Sequence, residues 1–520
     1  MLFARNASLL AAPQYEDADM GANSILIEQA RQWSLLVGNY SRDKFNHPGP
    51  AFLYVESWGE SLFWGVLHWV PTPWNGQLIA LYILNALFAA SVVAVGYGWT
   101  RSPRGAVAAF AAVLLLGALH PSMLAQDWMP YMYVPAYFAF LVALASVAAG
   151  RYGDLWIAAV TGWFCVHGHA CFLLFVPALT LSAVLLLAWP RRRRLRAALR
   201  SFFRNYRRTW ISAAAISAAF LLPIAFELAD HWPGNFAKYF GYGSSSSAGG
   251  HGLVPAVRYM LWFWWPRHGL VVLAALGAAA IAVTWRCPAG QVRRVCVSLL
   301  ILNAVSTVGL VAYAFVGIDE INEQYIGYFY WSAPVITALV IVLGGLEALA
   351  RRPAIARAAF ACVAAAGLAA GALFTVAGAT QTQTAHADPA TRFSTGAVGD
   401  PVLPGGVARL AAYAHGRTIV LELRPDTWPE MTGIVVQAQR TGVKACLADP
   451  AWTFMVTTQH ICTHAQRAHG IVLWLWKPNT DFRGIHMHLK VVFRRAIVTN
   501  VSPSGVAAAK SGALERRTES

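Results

Sequence analysis

Apolar runs of about 20 residues recur along most of this chain, and that is the length a helix needs to cross the hydrocarbon core of a bilayer. Eight runs reach it: 77–99, 131–149, 170–189, 210–228, 268–286, 295–316, 327–349 and 356–378. Two more, 105–119 and 154–167, suit short or tilted spans. Lipid supplies no hydrogen bonds, so each span must satisfy its own backbone, which for apolar runs of this length means helices. The chain is 57% hydrophobic and 12% charged over 520 residues, which excludes an ordinary soluble domain. The expected fold is an α-helical polytopic membrane protein with about ten spans. The run 252–265 is shorter and carries Trp262, Trp264 and Trp265. It is expected to lie as an interfacial or re-entrant helix, because aromatic rings prefer the headgroup layer.

The formal net charge is +16, and its placement says more than its size. Nine arginines stand between Trp189 and Trp210: Arg191, Arg192, Arg193, Arg194, Arg196, Arg200, Arg204, Arg207 and Arg208. Arg101 and Arg104, then Arg151, then Arg286, Arg293 and Arg294, then Arg351, Arg352 and Arg357 mark other turns. All fall in alternate connections between the runs, which is the pattern of cytoplasmic loops under the positive-inside rule. Basic residues divided among inter-span turns argue against a nucleic-acid surface. The resulting topology places residues 1–76 outside, 77–379 in the membrane and 380–500 outside again, with a disordered tail over 501–520. The segment before Glu16 is too short to span; Leu9 to Ala12 reads as the stump of a first span, against a misassigned or truncated start or an N-terminus translocated without a leading span.

The outer connections hold most of the acids and histidines. In 1–76, apolar Ile25, Ile27, Ala30, Trp33 and Leu36 are expected along one face of a helix from Gly21 to Val37. A second helix, Pro50 to Val70, carries Phe52, Trp58, Phe63, Trp64 and Trp69 and suits the membrane interface. The tail opens with a Thr/Ala/Pro/Gly-rich linker, 380–404, and continues with strand-like 418–423, helical 428–440, and strand-like 443–447 and 471–477. That alternation predicts a small external α/β domain.

Glu16, Asp17 and Asp19 precede the first helix, where a carboxylate can take a proton from an acceptor hydroxyl. The bland alternative is helix capping, for which Asp is favoured. Arg42, Lys44 and His47-Pro48-Gly49-Pro50 suit a phosphate at headgroup depth, or simply a basic turn that starts a helix. His167-Gly168-His169 has two imidazoles but no third ligand nearby, so a metal is not supported, although a divalent ion remains open. A phosphate or sugar contact fits better, against a buried hydrogen-bonded histidine as the bland reading. Asp230 to Asn235, Lys238 and the Ser/Gly-rich 243–250 read as a gate over a substrate or as an inert linker. Among seven cysteines, Cys165, Cys171 and Cys362 lie in or near spans, and Cys287 and Cys296 flank a cytoplasmic turn. Cys446 and Cys462 both lie in the outer tail, an oxidising compartment, and are predicted to form a disulfide.

The stretch from Asp19 through Gly38-Asn39-Tyr40-Ser41-Arg42 to His47-Pro48-Gly49-Pro50-Ala51-Phe52-Leu53-Tyr54 resembles the first external loop of bacterial GT-C superfamily glycosyltransferases. The His-Gly-His turn, Leu222-Pro223, Pro233-Gly234-Asn235 and the α/β tail are similar too, so the resemblance spans most of 15–480. It points to an HPGP-containing subgroup. It implies a GT-C-like fold, a polyprenyl-phosphate-linked sugar as donor and a glycan, lipid or protein acceptor. It also implies a bacterial cytoplasmic membrane location with the active site on the periplasmic face. The family places its catalytic acid soon after a first span, and Asp19 matches best, with Asp17 and Glu16 as alternatives. Arg42, Lys44, His47, His167, His169, Asn235 and Lys238 become the expected donor phosphate and sugar contacts. Two other classes compete. A transporter or flippase of lipid-linked sugars needs ionisable groups inside the membrane, yet Glu227 and Glu347 lie only at span ends. A non-enzymatic envelope scaffold would present the tail, with the outer acids and histidines incidental.

Overall fold

The computed structural model describes residues 1–124, 126–244, 250–350, 352–381, 402–482 and 485–504. Among these, eight helices are long and apolar enough to cross a membrane: Pro73–Thr100, Met129–Ala148, Phe172–Arg193, Arg207–His231, Gly269–Arg286, Gln291–Val316, Gln324–Leu349 and Ala354–Val376. Two shorter apolar helices, Pro103–Leu119 and Leu155–Gly168, pack within the same bundle. Proline opens Pro73–Thr100 and Pro103–Leu119, where its fixed φ suits a first turn and no donor is lost. These two helices touch backbone to backbone. A Cβ on Gly105 would lie 2.0 Å from the Gly96 carbonyl, so only glycine fits there.

Met129–Ala148 is buried along its whole length and forms the axis of the bundle. Tyr131, Tyr133, Tyr137, Phe140, Phe172 and Phe329 are among its fully buried rings. Arginine-bearing turns gather at one end. The Gln291 amide donates to the Ala149 carbonyl at 3.4 Å, and Arg191 comes within 3.9 Å of a Cβ built on Gly150. The Trp-rich run forms the helix Leu253–Trp262. Trp265 is exposed, but Trp264 is buried and its Nε1–H donates to the Tyr330 hydroxyl at 3.1 Å. The expected interfacial belt is therefore partly core.

Leu9 to Ala12, read as the stump of a span, lies in a short helix and the residue that ends it. Leu2–Arg5 and Ala7–Ala11 are short helices lying against Pro73–Thr100 and Pro353–Gln381. The Asn75 amide donates to the carbonyls of Leu9, Leu10 and Ala12, and buried Arg5 donates to the Phe374 carbonyl at 2.6 Å. The first outer helix runs Ala18–Arg31, starting earlier and ending sooner than Gly21 to Val37. The single apolar face expected for it is also corrected. Ile25 and Ile27 are two residues apart, so they point to opposite sides of a helix. Ala22 and Ile25 join the core of the external domain, whereas Met20, Leu26, Ile27 and Ala30 join the core of the bundle. The helix is thus buried on both sides. Pro50 to Val70 resolves into an α-helix, Ala51–Gly59, and a wider π-helical turn, Glu60–Val66, with Trp58 and Trp69 exposed.

The described residues of the C-terminal part, which the sequence places outside the membrane, form five strands: β1 (Ile419–Leu423), β2 (Ala445–Leu447), β3 (Ile471–Trp476), β4 (Lys490–Val492) and β5 (Ile497–Thr499), in sheet order β2-β1-β3-β5-β4. β2, β1 and β3 are parallel, with Ile419 beside Ala445 and Ile471. The helix Trp428–Arg440 forms the crossover from β1 to β2. β4 and β5 add an antiparallel ribbon that the sequence reading did not contain. Leu403–Ala414 is a helix that begins at the end of the segment read as linker, and 382–401 and 505–520 lie outside the described residues. Cys446 and Cys462 form a disulfide, and the Cys462 amide donates to the Leu447 carbonyl at 2.9 Å.

Candidate active site

One short hairpin, residues 38–47, gathers most of the polar clusters singled out in the sequence. Its backbone is closed by Gly38 N–H to His47 O at 2.8 Å, His47 N–H to Asn39 O at 2.9 Å and Ser41 N–H to Phe45 O at 2.7 Å. Each side chain then reaches a different neighbour. Tyr40 donates its hydroxyl to Asp19 Oδ1. Arg42 holds Asp319 at 2.6 Å and Glu323 at 2.7 Å. Asn46 N–H donates to Asn235 Oδ1 at 3.2 Å, and the Asn46 carbonyl accepts from Tyr239 at 2.6 Å. His47 packs against His169 in a tilted arrangement with ring centres 4.3 Å apart.

Asp19 lies in the first turn of Ala18–Arg31 and is partly buried. Its second oxygen accepts from Trp128 Nε1–H at 2.6 Å. Burial raises its pKa above the usual carboxylate range and outweighs the two hydrogen bonds, which pull the other way. A carboxylate in that state is a stronger base than one in water. Glu16 and Asp17 sit differently. Both are fully buried. Glu16 pairs with Arg440 of the external domain at 2.5 Å, and Asp17 faces Arg495 at 3.8 Å. Of the three acids, Asp19 is the partly exposed one, and the other two pair with arginines of the external domain.

The histidines are neutral donors, not cations. His167 takes a hydrogen bond at Nδ1 from Ala51 N–H at 3.2 Å, so its Nε2–H donates to the Phe220 carbonyl at 2.9 Å. Both of its nitrogens are engaged, and a Cβ on Gly49 would fall 2.3 Å from its ring. The glycine of His47-Pro48-Gly49-Pro50 is therefore needed to admit His167. His47 accepts at Nδ1 from Ala170 N–H at 3.2 Å and His169 from Cys171 N–H at 3.1 Å. The proton of each neutral ring then stands on Nε2, which has no other partner among the described residues. Burial lowers both pKa values, that of His169 to about 4 and that of His47 well below the ordinary value, with His169 adding to the latter.

Lys44 and Lys238 are exposed, and Lys238 Nζ donates to the Lys44 carbonyl at 3.3 Å. Neither has a carboxylate partner among the described residues. Asn235 is buried, and its amide and backbone N–H both donate to Glu227 Oε1, so it fastens the 233–239 segment to the hairpin. Of the Ser/Gly-rich stretch, 245–249 lie outside the described residues. No group of three or more His, Cys, Asp or Glu placed to hold a metal occurs among the described residues.

A second acidic layer lies behind Asp19. Asp127 is buried and accepts from Trp74 Nε1–H, and burial raises its pKa to about 7. Glu56 is buried nearby, raised well above the ordinary range by burial first and by Asp127 and Glu60 second. On the external side, partly exposed Trp428 and Phe454 approach the Tyr40 ring at 6.2 and 5.9 Å, and Trp452 stacks on Phe454 at 6.2 Å. Tyr40, Trp128 and these aromatics are the site residues that sequence reasoning missed. Tyr40 stands inside the quoted Gly38-Asn39-Tyr40-Ser41-Arg42 stretch, which was the available signal.

The chain superposes on the crystal structure of ArnT from Cupriavidus metallidurans bound to undecaprenyl phosphate. The TM-score is 0.57 at 14% sequence identity, covering 96% of this chain and 97% of that one. The fold is like that of ArnT. The apo structure of ArnT from the same organism gives a TM-score of 0.57 at 15% identity, with 96% of each chain covered. Coverage at this level takes in the helical bundle and the C-terminal sheet together. No family model matches the chain, and no curated protein matches it.

Proposed function

We propose that this chain is a membrane glycosyltransferase that moves a sugar from a polyprenyl-phosphate donor to a cell-envelope acceptor on the outer face of the cytoplasmic membrane, with inversion. The observation that carries the reading is the convergence of Asp19, Lys44, His47, His169 and Lys238 on one hairpin within an ArnT-like fold. ArnT itself has been seen with undecaprenyl phosphate.

Asp19 takes the proton of an acceptor hydroxyl. The freed oxygen attacks the anomeric carbon as the bond from that carbon to the phosphate oxygen breaks, and polyprenyl phosphate leaves with the electron pair. Lys44 and Lys238 neutralise the phosphate, while the Nε2–H groups of His47 and His169 donate to it without requiring a charged ring. Such preorganised donors stabilise charge that develops on the leaving group. Arg42 acts by position: its two carboxylate partners hold the hairpin, and its charge is already matched. Asn235 and His167 are positioning residues for the same reason. Trp428, Trp452 and Phe454 form an aromatic wall beside Tyr40 that suits the apolar face of an acceptor sugar. The mechanism uses no cofactor.

The test is transfer of label from a polyprenyl-phosphate sugar by the purified full-length protein to envelope glycan, lipid or protein fractions. Label should move to one fraction with inverted anomeric configuration, and transfer should persist with a chelator present. Failure with every fraction, while the donor is neither consumed nor bound, refutes the assignment.

A further inference from the structure

The end of the bundle that carries the arginine turns, opposite the candidate active site, holds a groove of about 1060 Å³ between Phe172–Arg193 and Gln291–Val316. That is about the upper end of the size of ligand sites. Its floor is apolar and faces outward. Leu185, at 58% exposure, lies on one wall. On the other wall stand Val297, Ile301 and Val305. These three follow Arg293 at four-residue steps, so all four lie on one ridge of the helix. At about 1.5 Å per residue, the ridge runs roughly 18 Å from Arg293 to Val305. Half of a hydrocarbon core about 30 Å thick is close to that length.

Its mouth is cationic. Arg191, Arg293 and Arg294 line it, with no acidic side chain among the described lining residues. Arg191 donates to the Leu187 carbonyl and Arg294 to the Gln291 side chain, and none of the three pairs with a carboxylate among the described residues. The mouth also holds the first turn of Gln291–Val316, which has no side-chain cap, so its N–H groups add to the preference for an anion.

We propose that this groove binds an anionic phospholipid of the leaflet at the arginine face. Its phosphate would sit among Arg191, Arg293 and Arg294, and an acyl chain would lie along Val297, Ile301 and Val305. Charge selects the head group. The length of the apolar ridge selects a chain one leaflet long over a polyprenyl chain that exceeds it. The site is separate from the sugar-transfer reading and stands or falls without it.

The experiment titrates the delipidated full-length protein in neutral detergent with dioleoyl phosphatidylglycerol or dioleoyl phosphatidylcholine and counts bound lipid by native mass spectrometry. Phosphatidylglycerol should bind at least tenfold more tightly than phosphatidylcholine. Each arginine near the membrane surface accounts for about fivefold in affinity, from about 1 kcal/mol each. The triple variant Arg191→Ala, Arg293→Ala, Arg294→Ala should therefore lose roughly 100-fold for phosphatidylglycerol and little for phosphatidylcholine. Ile301→Trp fills the groove while keeping every charge, and should also weaken phosphatidylglycerol at least tenfold. It keeps the proposal testable should the triple variant fail to fold. Three results would overturn it: equal affinity for the two lipids, unchanged phosphatidylglycerol binding in either variant, or displacement of the lipid by an equal concentration of inorganic phosphate or undecaprenyl phosphate.

Discussion

Replacing Asp19 with asparagine separates its chemical role from its structural one. Asparagine keeps the shape. Its oxygen can still accept from Trp128 Nε1–H, and its amide can donate to the Tyr40 hydroxyl, which is able to accept. Two charge-assisted bonds become neutral ones, a loss of about 1 kcal/mol each. Against this stands the raised pKa of Asp19, which means that burying its charge is less favourable than leaving it in water even with both bonds formed. Desolvation therefore wins, and Asp19→Asn should leave Tm equal or higher above neutral pH. The rate should fall about 10²–10⁴-fold, the usual contribution of a general base. The pH profile gives an independent check. The base must be ionised, so kcat/KM of the wild type should rise with pH through an apparent pKa above the ordinary aspartate range, and that limb should vanish in Asp19→Asn. Turnover within threefold of wild type, or survival of the limb, refutes the assignment. A fall in Tm of more than about 5 °C at pH 8 refutes the energetic ranking, because about 1 kcal/mol corresponds to only a few degrees in a chain of this size.

Three further outcomes follow from the same geometry. Arg440→Ala leaves Glu16 buried without its partner, with Glu60 also losing a neighbour at 3.6 Å; the stability loss should be about 3–5 kcal/mol, read as a lower Tm and faster proteolysis between the bundle and the external domain. Asp127 binds its proton more tightly folded than unfolded, so it should lower stability progressively as pH rises from about 4 to about 7, with no further change above. Asp127→Asn should flatten that part of a Tm-against-pH curve, and an unchanged slope would assign it to Glu56 or elsewhere. The Cys446–Cys462 bond should appear in non-reduced peptides by mass spectrometry, and its removal should lower stability by roughly 3 kcal/mol, as expected for a loop of about 15 residues. Free alkylatable thiols at both positions would count against it.

Much of the bundle was legible in the chain because lipid leaves a spanning segment few alternatives. A run of about 20 apolar residues must be helical, and its ends are marked by the first arginine or proline. Thus 77–99 became Pro73–Thr100 and 295–316 became Gln291–Val316. The helix Trp428–Arg440 and strands β1 and β3 were equally readable, since each carries a full local period. β4 and β5 were not, because they hold their places by pairing, β5 with β3 and β4 with β5, rather than by a local period of their own. The same limit explains Ala18–Arg31. Its pattern shows apolar residues on two sides, but only the tertiary structure decides that a second domain covers the second side.

The candidate site divides along the same line. Residue types and their gathering in outer connections pointed to acids, lysines and histidines, because such groups are unfavourable within lipid and collect where chemistry needs them. Which of them are available is a question of contacts between residues far apart in sequence. Glu16 meets Arg440, Arg42 meets Asp319 and Glu323, and His167 meets Phe220, and each is thereby committed to holding the structure. Asp19, by contrast, lies beside Tyr40 and Trp128, 21 and 109 residues away, in a pocket that raises its basicity. Local sequence dictates where helices start, stop and face lipid, since those are short-range matters of hydrogen bonding and hydropathy. Partnership and desolvation are long-range, and only the folded chain sets them.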